Sequence, residues 1–120
     1  MSTQKNAQEL CQLIGEGQMM EGFEKFYDND VTVIEANGET RQGKDAQRNA
    51  ILQWQGMIKE IHGAGVEAIT ANEESQTAMV ESWVDITMQD GNRRKMEEVA
   101  VQKWKNNKIV NERFYYNLPK

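Results

Sequence analysis

Residues 76–117 read QTAMVESWVDITMQDGNRRKMEEVAVQKWKNNKIVNERFYYN, and this stretch decides the fold. Two turn signals, Asp90-Gly91 and Asn106-Asn107, divide it into three segments rich in β-branched and aromatic residues. Asp-Gly between two such segments is a strong hairpin signal, because a type I′ turn needs residues that accept positive φ angles. The stretch therefore predicts a meander of three consecutive antiparallel strands.

The first hairpin of this meander predicts which side chains share a face. A two-residue turn at Asp90-Gly91 predicts three cross-strand pairs, which are Asp85 with Met96, Trp83 with Glu98 and Glu81 with Ala100. Since successive side chains alternate between faces, one face combines a tryptophan with carboxylates, and its residues are Glu81, Trp83, Asp85, Thr87, Met96 and Glu98. The opposite face is aliphatic and carries Val80, Val84, Ile86, Val99 and Val101.

The second hairpin leaves two registers open. Asn106 and Asn107 tolerate the left-handed conformation, so a two-residue turn and a three-residue loop with a bulge both fit the sequence. A shift of one residue moves every side chain of the last strand to the other face. The residues that join the Trp83 face are either Glu112, Phe114 and Tyr116, or Asn111, Arg113 and Tyr115.

Helical periodicity dominates the first half of the chain. Apolar residues recur at the i, i+3, i+4, i+7 spacing of a helix in residues 3–15, 19–27 and 43–61. A short hairpin at 31–42 precedes the third helix, and a strand at 66–71 precedes the meander. Helices gathered before strands indicate an α+β domain whose helices cover one face of an antiparallel sheet.

Length and charge exclude several classes of protein. The 120 residues suit one domain, residues 1–120. The net charge is −5 and the pI is about 4.9, and no basic patch for a nucleic acid is visible. No apolar run approaches the roughly 20 residues of a membrane span, and the polar N-terminus does not resemble a signal peptide. A cytoplasmic protein is therefore expected, and its single cysteine cannot form an intrachain disulfide.

Two phrases of the sequence resemble a known family. They are FYDNDVTVIEANGETRQGKDA at 26–46 and NNKIVNERFYYN at 106–117. Together with the order of elements, they resemble the SnoaL-like polyketide cyclase branch of the nuclear transport factor two-like superfamily. The resemblance implies three N-terminal helices packed on a strongly curved antiparallel sheet, as a cone-shaped, cystatin-like α+β roll with a cavity. It also implies a homodimer formed through the outer face of the sheet.

Limonene epoxide hydrolases belong to the same superfamily and allow a comparison by position. Of the positions that match their catalytic residues, only Asp85 keeps the residue type, while Trp83 replaces an arginine and Phe114 an aspartate. The resemblance therefore argues against epoxide hydrolysis. The same alignment implies which residues face the cavity, namely Trp83, Asp85, Glu98, Glu112, Phe114 and Tyr116.

Three carboxylates on the predicted tryptophan face are candidates for acid–base chemistry. Crowding and burial of Glu81, Asp85 and Glu98 would raise the pKa of at least one of them. A carboxylate that titrates near neutrality can remove a proton beside a carbonyl. The cyclases that this chain resembles use an aspartate and a histidine, which implies Asp85 as base and His62 or Glu98 as acid. The structural alternative is that these carboxylates face water or pair with basic residues.

Aromatic side chains on the same predicted face suit a flat, apolar or aromatic ligand that carboxylates orient. The residues expected to contact such a ligand are Trp54, Trp83, Glu81, Glu35, Glu112, Phe114 and Tyr116. Core packing is the alternative for each aromatic residue. One histidine and one cysteine, far apart in the sequence, form no recognisable zinc site, and the acidic residues lack the spacing of a calcium loop. No metal and no cofactor are predicted.

Two classes of function remain open. The first is an enzyme that performs acid–base chemistry, of the aldol-cyclisation or isomerisation type, on a carbonyl-containing ring compound. The second is a non-catalytic ligand-binding module or a dimeric protein-interaction module of the same fold. A carboxyl group that titrates near neutrality would favour the enzyme. The sequence alone decides neither the ligand nor whether there is turnover.

Overall fold

A computed structural model describes residues 2–117. Within this part of the chain, three helices and six strands follow one another in the predicted order, and the α+β fold class is confirmed. The helices are α1 (Thr3–Gly15), α2 (Met19–Phe26) and α3 (Lys44–Met57). The strands are β1 (Tyr27–Ile34), β2 (Thr40–Gln42), β3 (Ile58–Asn72), β4 (Thr77–Met88), β5 (Arg93–Lys105) and β6 (Lys108–Tyr115).

The six strands form one sheet with the order β2-β1-β6-β5-β4-β3. Neighbouring strands are antiparallel except for β1 and β6, which run parallel. A parallel pair needs a long crossover connection, and the chain from β2 to β5 provides it. The early hairpin of β1 and β2 is thereby joined to the last strand of the meander, and the sheet becomes wide enough to cover all three helices.

Local signals explain where α1 begins and ends. The side-chain oxygen of Ser2 accepts a hydrogen bond from the main-chain N–H of Lys5 at 3.0 Å, and this N-cap starts the helix. Just beyond its end, Gly17 has a φ of +80°, which glycine adopts without a steric penalty. The buried stripe of α1 includes Ala7 and Leu10, so the helix presents its predicted apolar side to the core.

The first hairpin of the meander has a longer loop than predicted. The N–H of Met88 donates to the carbonyl of Asn92 at 2.8 Å, so that residues 89–91 form the loop. Within this loop only Gly91 has a positive φ, of 90°. A type I′ turn needs two such residues, whereas a three-residue loop ending in a left-handed glycine needs one. The register between β4 and β5 therefore differs from the predicted one by a single residue.

This shift changes which residues share a face. Trp83 lies opposite Glu97 and Asp85 lies opposite Lys95, so the prediction that both share a face with Glu98 is wrong. The predicted aliphatic face is also wrong, because it is divided between the two sides. On β4 and β5, the face toward the helices carries Ala78, Val80, Ser82, Val84, Ile86, Met88, Arg94, Met96, Glu98, Ala100, Gln102 and Trp104, of which Arg94 is exposed near the hairpin. The outer face carries Met79, Glu81, Trp83, Asp85, Thr87, Arg93, Lys95, Glu97, Val99 and Val101.

The second hairpin has a two-residue turn, since Asn106 and Asn107 have positive φ angles of 53° and 63°. The β5–β6 pairing then shifts by one residue shortly after the turn. Beyond this irregularity the pairs are Gln102 with Glu112, Ala100 with Phe114 and Val99 with Tyr115. Of the two registers left open, the one observed places Glu112 and Phe114 on the inner face with Glu98, and Arg113 and Tyr115 on the outer face with Trp83.

The third helix is shorter than predicted, and the strand that follows it is longer. The helix ends at Met57, whose carbonyl accepts a hydrogen bond from the N–H of Gln89 at 2.8 Å. Residues 58–61 belong to β3 and pair with β4. The expectation that helix continues to Ile61 is therefore wrong, because pairing with a neighbouring strand outweighs the helical pattern of these residues.

The core lies between the helices and the inner face of the sheet. Its buried members are Ala7, Leu10, Phe23, Phe26, Tyr27, Val31, Val33, Ala78, Trp104 and Ile109. The ring of Phe26 packs edge-on against Trp104, with 5.6 Å between their centroids. Because α1, α2, β1 and three strands of the meander all contribute to this cluster, the core holds the helices on the concave side of the sheet.

On the outer face, the indole of Trp83 lies across two glycines of β3. A Cβ atom at Gly65 would come within 2.7 Å of the Trp83 Nε1 atom, and one at Gly63 within 3.2 Å of the ring. Lys95 places its ammonium 5.0 Å from the centre of the same ring. Gly63 and Gly65 thus make room for an aromatic ring on the neighbouring strand.

The contact between Trp83 and Gly65 can be tested by adding one methyl group. We expect Gly65→Ala to lower the free energy of unfolding by about 1–3 kcal/mol, because the indole must move away from its strand. Gly56→Ala is the matched control, since no neighbouring atom lies within 4 Å of that Cβ position in α3. The control should be neutral or stabilising by up to about 1 kcal/mol. Urea denaturation measures both, and equal effects of the two substitutions would contradict the packing described.

Candidate functional site

A buried carboxylate on the inner face is held by a chain of hydrogen bonds. Glu112 on β6 is only 2% exposed. Its Oε1 atom accepts a hydrogen bond from the Tyr27 hydroxyl, and its Oε2 atom accepts one from the Gln102 amide at 2.9 Å. The indole N–H of Trp104 donates to the Gln102 carbonyl oxygen at 3.3 Å, which orients the amide with its NH₂ group toward Glu112. Both carboxylate oxygens are therefore satisfied.

Glu98 shares this face but has no such partner. It lies opposite Ser82 on β4, and none of the residues between 2 and 117 forms a side-chain hydrogen bond or ion pair with it. Burial, with a smaller effect of the negative charges of Glu112 and Glu35, raises the pKa of Glu98 from 4.5 to about 7. Glu98 is thus a carboxyl group that changes charge near neutral pH and is free to contact a ligand.

A second polar cluster lies beside Glu98, around the end of β1 and β2. The guanidinium of Arg41 pairs with Glu35 and also donates to the Gln47 side chain at 2.7 Å. The hydroxyl of Tyr116 donates to the other oxygen of Glu35 at 3.0 Å. Glu35 is therefore engaged on both oxygens, and Arg41 is the basic residue of this cluster.

Burial also changes the acidity of the other groups around Glu112. It raises the pKa of Glu112 itself, although the hydrogen bonds from Tyr27 and Gln102 act in the opposite direction. Burial is likewise the main cause that raises the pKa of Tyr27, and the charge of Glu112 adds to it. On α1, burial followed by the charge of Glu112 raises the pKa of Cys11 to about 11. Both Tyr27 and Cys11 therefore stay protonated at neutral pH.

Several predicted site residues lie on the outer face instead. Asp85 forms two hydrogen bonds with Arg93, at 3.0 and 3.1 Å, and this pair lowers the pKa of Asp85. Glu81 is exposed on the same face. His62 is adjacent to a bulge of β3, where its Nε2 atom lies 2.6 Å from the Thr87 hydroxyl. These residues contact the outer side of the sheet, away from the helices.

The structure thus divides the predicted site into two groups. Glu35, Glu98, Glu112, Phe114 and Tyr116 come together on the inner side. Asp85, Glu81, His62 and Trp83 lie on the outer side. Trp54 is half-buried in the second half of α3, and it does not face Trp83 across a cavity, since that indole covers Gly63 and Gly65.

The sequence analysis missed four residues of the inner cluster, which are Tyr27, Arg41, Gln102 and Trp104. Three of them, with Glu112, form an inward-facing polar chain across β1, β5 and β6. A signal for Gln102 was present, because it follows Glu98 and Ala100 at the strand period of two. Gln102 thus shares the face of β5 that was correctly predicted to carry Glu98, whereas the wrong face assignment concerned Trp83 and Asp85 on β4.

A groove of about 510 Å³ opens at the edge of β5, beyond the point where β6 ends. Its lining includes Glu98 and Tyr116, together with outer-face side chains. The other lining residues are Glu67, Glu81, Ser82, Trp83, Lys95, Glu97, Val99, Tyr115 and Asn117. Glu98 and Tyr116 therefore belong both to the inner cluster and to the lining of this groove, whose other lining residues lie mainly on the outer face.

A smaller polar cavity of about 240 Å³ lies at the start of α1. Glu73 accepts hydrogen bonds there from the main-chain N–H groups of Thr3 and Gln4, at 2.8 and 3.0 Å. Asn6 donates to Asn107 at 3.0 Å. These contacts hold α1 against the turns of the sheet, so we assign them a structural role.

Comparison with known proteins identifies the family. Residues 1–116 match the SnoaL-like domain. This chain belongs to the SnoaL-like domain family. No curated protein gives a significant match.

Solved structures are similar to this SnoaL-like domain over nearly its whole length. A protein from Mesorhizobium loti, named as a candidate SnoaL-like polyketide cyclase and also as a carbohydrate phosphatase, is 31% identical, with a TM-score of 0.86 over 97% of this chain and 100% of the other. A candidate isomerase from Bacillus subtilis is 17% identical, with a TM-score of 0.77 over 94% and 84%. A cystatin-fold protein from Novosphingobium aromaticivorans is 16% identical, with a TM-score of 0.77 over 96% and 98%. The last two show the fold alone.

Two further findings concern membrane-spanning helices and metal-binding groups. No helix within 2–117 is both long and apolar enough to cross a membrane. Over the same range, no three or more His, Cys, Asp or Glu side chains are grouped as a metal ion would require.

The raised pKa of Glu98 predicts how stability depends on pH. Because the folded state binds this proton more tightly than the unfolded state, the stabilisation is complete below about pH 4.5 and is lost as the pH rises through about 7. At pH 8 the buried carboxylate then costs about 3 kcal/mol, from 1.36 kcal/mol for each pKa unit. We expect Glu98→Gln to raise the free energy of unfolding by up to this amount at pH 8 and to change it little at pH 4.

Glu97→Gln is the matched control, because Glu97 is the exposed neighbour of Glu98 on β5. We expect it to change stability by less than about 0.5 kcal/mol at either pH. Urea denaturation at the two pH values measures both variants. A Glu98→Gln variant that is no more stable than the native protein at pH 8 would show that the ionised form of Glu98 does not destabilise the fold.

Proposed function

We propose that this SnoaL-like domain binds a small carbonyl-containing ring compound and that Glu98 transfers a proton on it. The observation that carries this proposal is the state of Glu98, which is largely buried, lacks a protein partner and titrates at about 7. General bases are most effective when their pKa lies near the working pH. The nearby Glu112 is buried deeper and already accepts two hydrogen bonds, so Glu98 is the carboxylate available to a ligand.

The proposed reaction begins with Glu98 in its ionised form. Its carboxylate takes the proton from the carbon beside the carbonyl, and the electron pair of that C–H bond moves into an enolate. In a β,γ-unsaturated carbonyl compound this enolate is a dienolate, and the proton now on Glu98 can return to its γ carbon, which shifts the double bond and completes an isomerisation. Alternatively, the enolate carbon attacks a second carbonyl of the same molecule, and Glu98 protonates the alkoxide, which completes an aldol cyclisation. Both sequences return Glu98 to its ionised form.

The groove whose lining includes Glu98 supports this proposal. Its volume of about 510 Å³ is within the range of small-molecule sites. Trp83 and Tyr115 give it aromatic surface at the outer end, which suits a flat ring compound. Tyr116 connects the groove to the Glu35 cluster through its hydroxyl.

The names of similar proteins agree with one part of this reading. The Mesorhizobium loti protein is named as a candidate polyketide cyclase, and proton transfer at a carbonyl fits that class of reaction. Its second name, carbohydrate phosphatase, would require groups that hold a phosphate. On the inner side, Arg41 is already paired with Glu35, so the arrangement of charges favours the carbonyl chemistry.

Asp85 and His62 were the sequence-based choices for the base and its acid partner. Asp85 is held ionised by Arg93, which makes it a weak base. His62 contacts Thr87 on the outer face. We therefore assign the proton transfer to Glu98 in place of this pair.

Hydrogen–deuterium exchange on a model ketone tests the proposed reaction. In deuterated buffer, the native protein should accelerate exchange of the protons beside the carbonyl of 2-tetralone, as followed by NMR. The exchange rate should rise with pH through about 7 and then level off, because Glu98 must be ionised. Glu98→Gln should lower the rate by about 100-fold or more, the usual contribution of a general base.

Two comparisons make the assignment specific. Glu97→Gln should keep the native rate, because that side chain lies on the other face of β5. A loss of exchange in Asp85→Asn instead of Glu98→Gln would move the base to the outer face. Binding of the ketone without exchange in the native protein would favour the non-catalytic pocket over the enzyme.

A second proposal concerns self-association. We propose that two copies of this domain pair through the outer face of their sheets, as the family resemblance implied. Met79 and Tyr115 are large apolar residues of that face and are 46% and 50% exposed. Met79 lies opposite Val101, and this pair is outside the lining of the groove. A partner could therefore cover the pair without filling the groove.

Replacement of one exposed methionine tests this association. In sedimentation velocity, the native protein should be a dimer and Met79→Glu a monomer, because each copy would bring a charge into the contact. Met57→Glu is the matched control, since Met57 is 52% exposed at the end of α3 and not on the outer face. A dimer that survives Met79→Glu but not Met57→Glu would place the contact on the helical side.

A further inference from the structure

Three acids of the inner cluster lie close to one another. Glu98 on β5, Glu112 on β6 and Glu35 after β1 influence one another's charge. Tyr27, Tyr116 and Cys11 surround them, and the pKa of each is raised, so these three are neutral at physiological pH. A ligand that reaches Glu98 therefore meets a group of acids, and the negative charge there grows as Glu98 ionises.

The basic residue of this region is already engaged. The guanidinium of Arg41 pairs with Glu35 and donates to Gln47. The side chains of Arg41 and Glu35 are only about one-fifth exposed, 19% and 20%. Tyr116 holds the second oxygen of Glu35, so the carboxylate cannot easily turn away from the guanidinium. To bind an anion, Arg41 would have to leave Glu35, and a buried carboxylate would lose its counter-charge.

The groove whose lining includes Glu98 is also mainly acidic. Its charged lining comprises Glu67, Glu81, Glu97 and Glu98 against one lysine, Lys95. The ammonium of Lys95 lies over the Trp83 ring and 3.8 Å from Glu97. Fields from like charges along a cleft add together and repel ligands of the same sign.

We propose that this site accepts uncharged ligands and rejects carboxylates and phosphates, and that the Glu35–Arg41 pair sets this preference. The inference rests on the proposed function, because it concerns what Glu98 meets in the same site. It adds the class of substrate, a neutral carbonyl compound such as a ketone, ester or amide. Glu35 is a specificity residue in this reading, since it neutralises the cation that would otherwise attract an anion.

An anion could still enter by bringing a proton with it. When its charge approaches Glu98, the carboxyl group is driven toward its protonated form. Binding of an anion should therefore weaken as the pH rises through the range where Glu98 ionises, about 7. Binding of an uncharged ligand of the same shape should depend much less on pH. This difference separates charge repulsion from a simple lack of fit.

A matched pair of probes tests the inference. Methyl 2-naphthoate and 2-naphthoate have the same ring and differ in charge, and ligand-observed NMR or calorimetry can compare their binding at pH 8 and pH 6. The ester should bind at least about tenfold more tightly than the carboxylate at pH 8, the scale expected for one like-charge contact partly screened by solvent. The difference in affinity between the ester and the carboxylate should be smaller at pH 6.

Substitution of Glu35 provides a gain-of-binding test. Glu35→Gln keeps the side-chain size but leaves Arg41 without its counter-charge, so 2-naphthoate should bind about tenfold more tightly while the ester changes little. Glu39→Gln is the matched control, because Glu39 is exposed on the same hairpin and its loss changes net charge equally without releasing a guanidinium. The control should leave the preference for the ester unchanged.

The outcomes separate this inference from the proposed function. Tight binding of the ester with weak, pH-dependent binding of the carboxylate, and rescue of the latter by Glu35→Gln, would support both. If the carboxylate binds the native protein as tightly as the ester at pH 8, or if Glu39→Gln rescues it as well as Glu35→Gln, the charge preference is overturned and the pocket remains. If neither probe binds, the proposed function fails and the preference with it.

Discussion

The main-chain hydrogen bond from Met88 to Asn92 sets the register on which the site depends. It closes a three-residue loop, and that loop length decides which side chains of β4 and β5 face the helices. A loop shorter by one residue would place Trp83 opposite Glu98, and these two side chains would then share a face. With the loop as it is, Glu98 and Gln102 point inward, and Trp83 and Asp85 point outward. The distribution of carboxylates between the two faces follows from this single turn.

The inner face combines a packed core with a polar interior at one end. Near α1 and α2, aromatic and aliphatic side chains fill the space between the layers. Toward Glu98 the same face carries Glu112, Gln102 and Tyr27, and each has a hydrogen-bond partner. Buried polar groups are tolerable when they are paired and costly when they are not. Glu98 is half-buried and is the carboxyl group of this cluster that lacks a protein partner, and a raised pKa at such a position is typical of functional sites.

The side chains of the outer face contact one another and stabilise the sheet. Trp83 lies on two glycines of the neighbouring strand, and Lys95 lies over its ring. Asp85 and Arg93 form an ion pair near the first hairpin. These contacts fasten β3 to β4 and β5 from outside and do not depend on the helices. The indole therefore stabilises the sheet that carries Glu98. It also contributes aromatic surface to the groove.

The sequence by itself determined the order of the elements, the fold class and the family, because periodicity, turn residues and long phrases such as residues 26–46 are local properties. It also predicted a raised pKa for at least one of Glu81, Asp85 and Glu98, with Asp85 as the preferred base. Only the tertiary structure decided which carboxyl group this is and what surrounds it. The length of one turn reverses a whole face, and the partners of Glu112 come from β1 and β5, far apart in the chain. Burial and neighbouring charge, which set the pKa of Glu98, exist only once those strands have met.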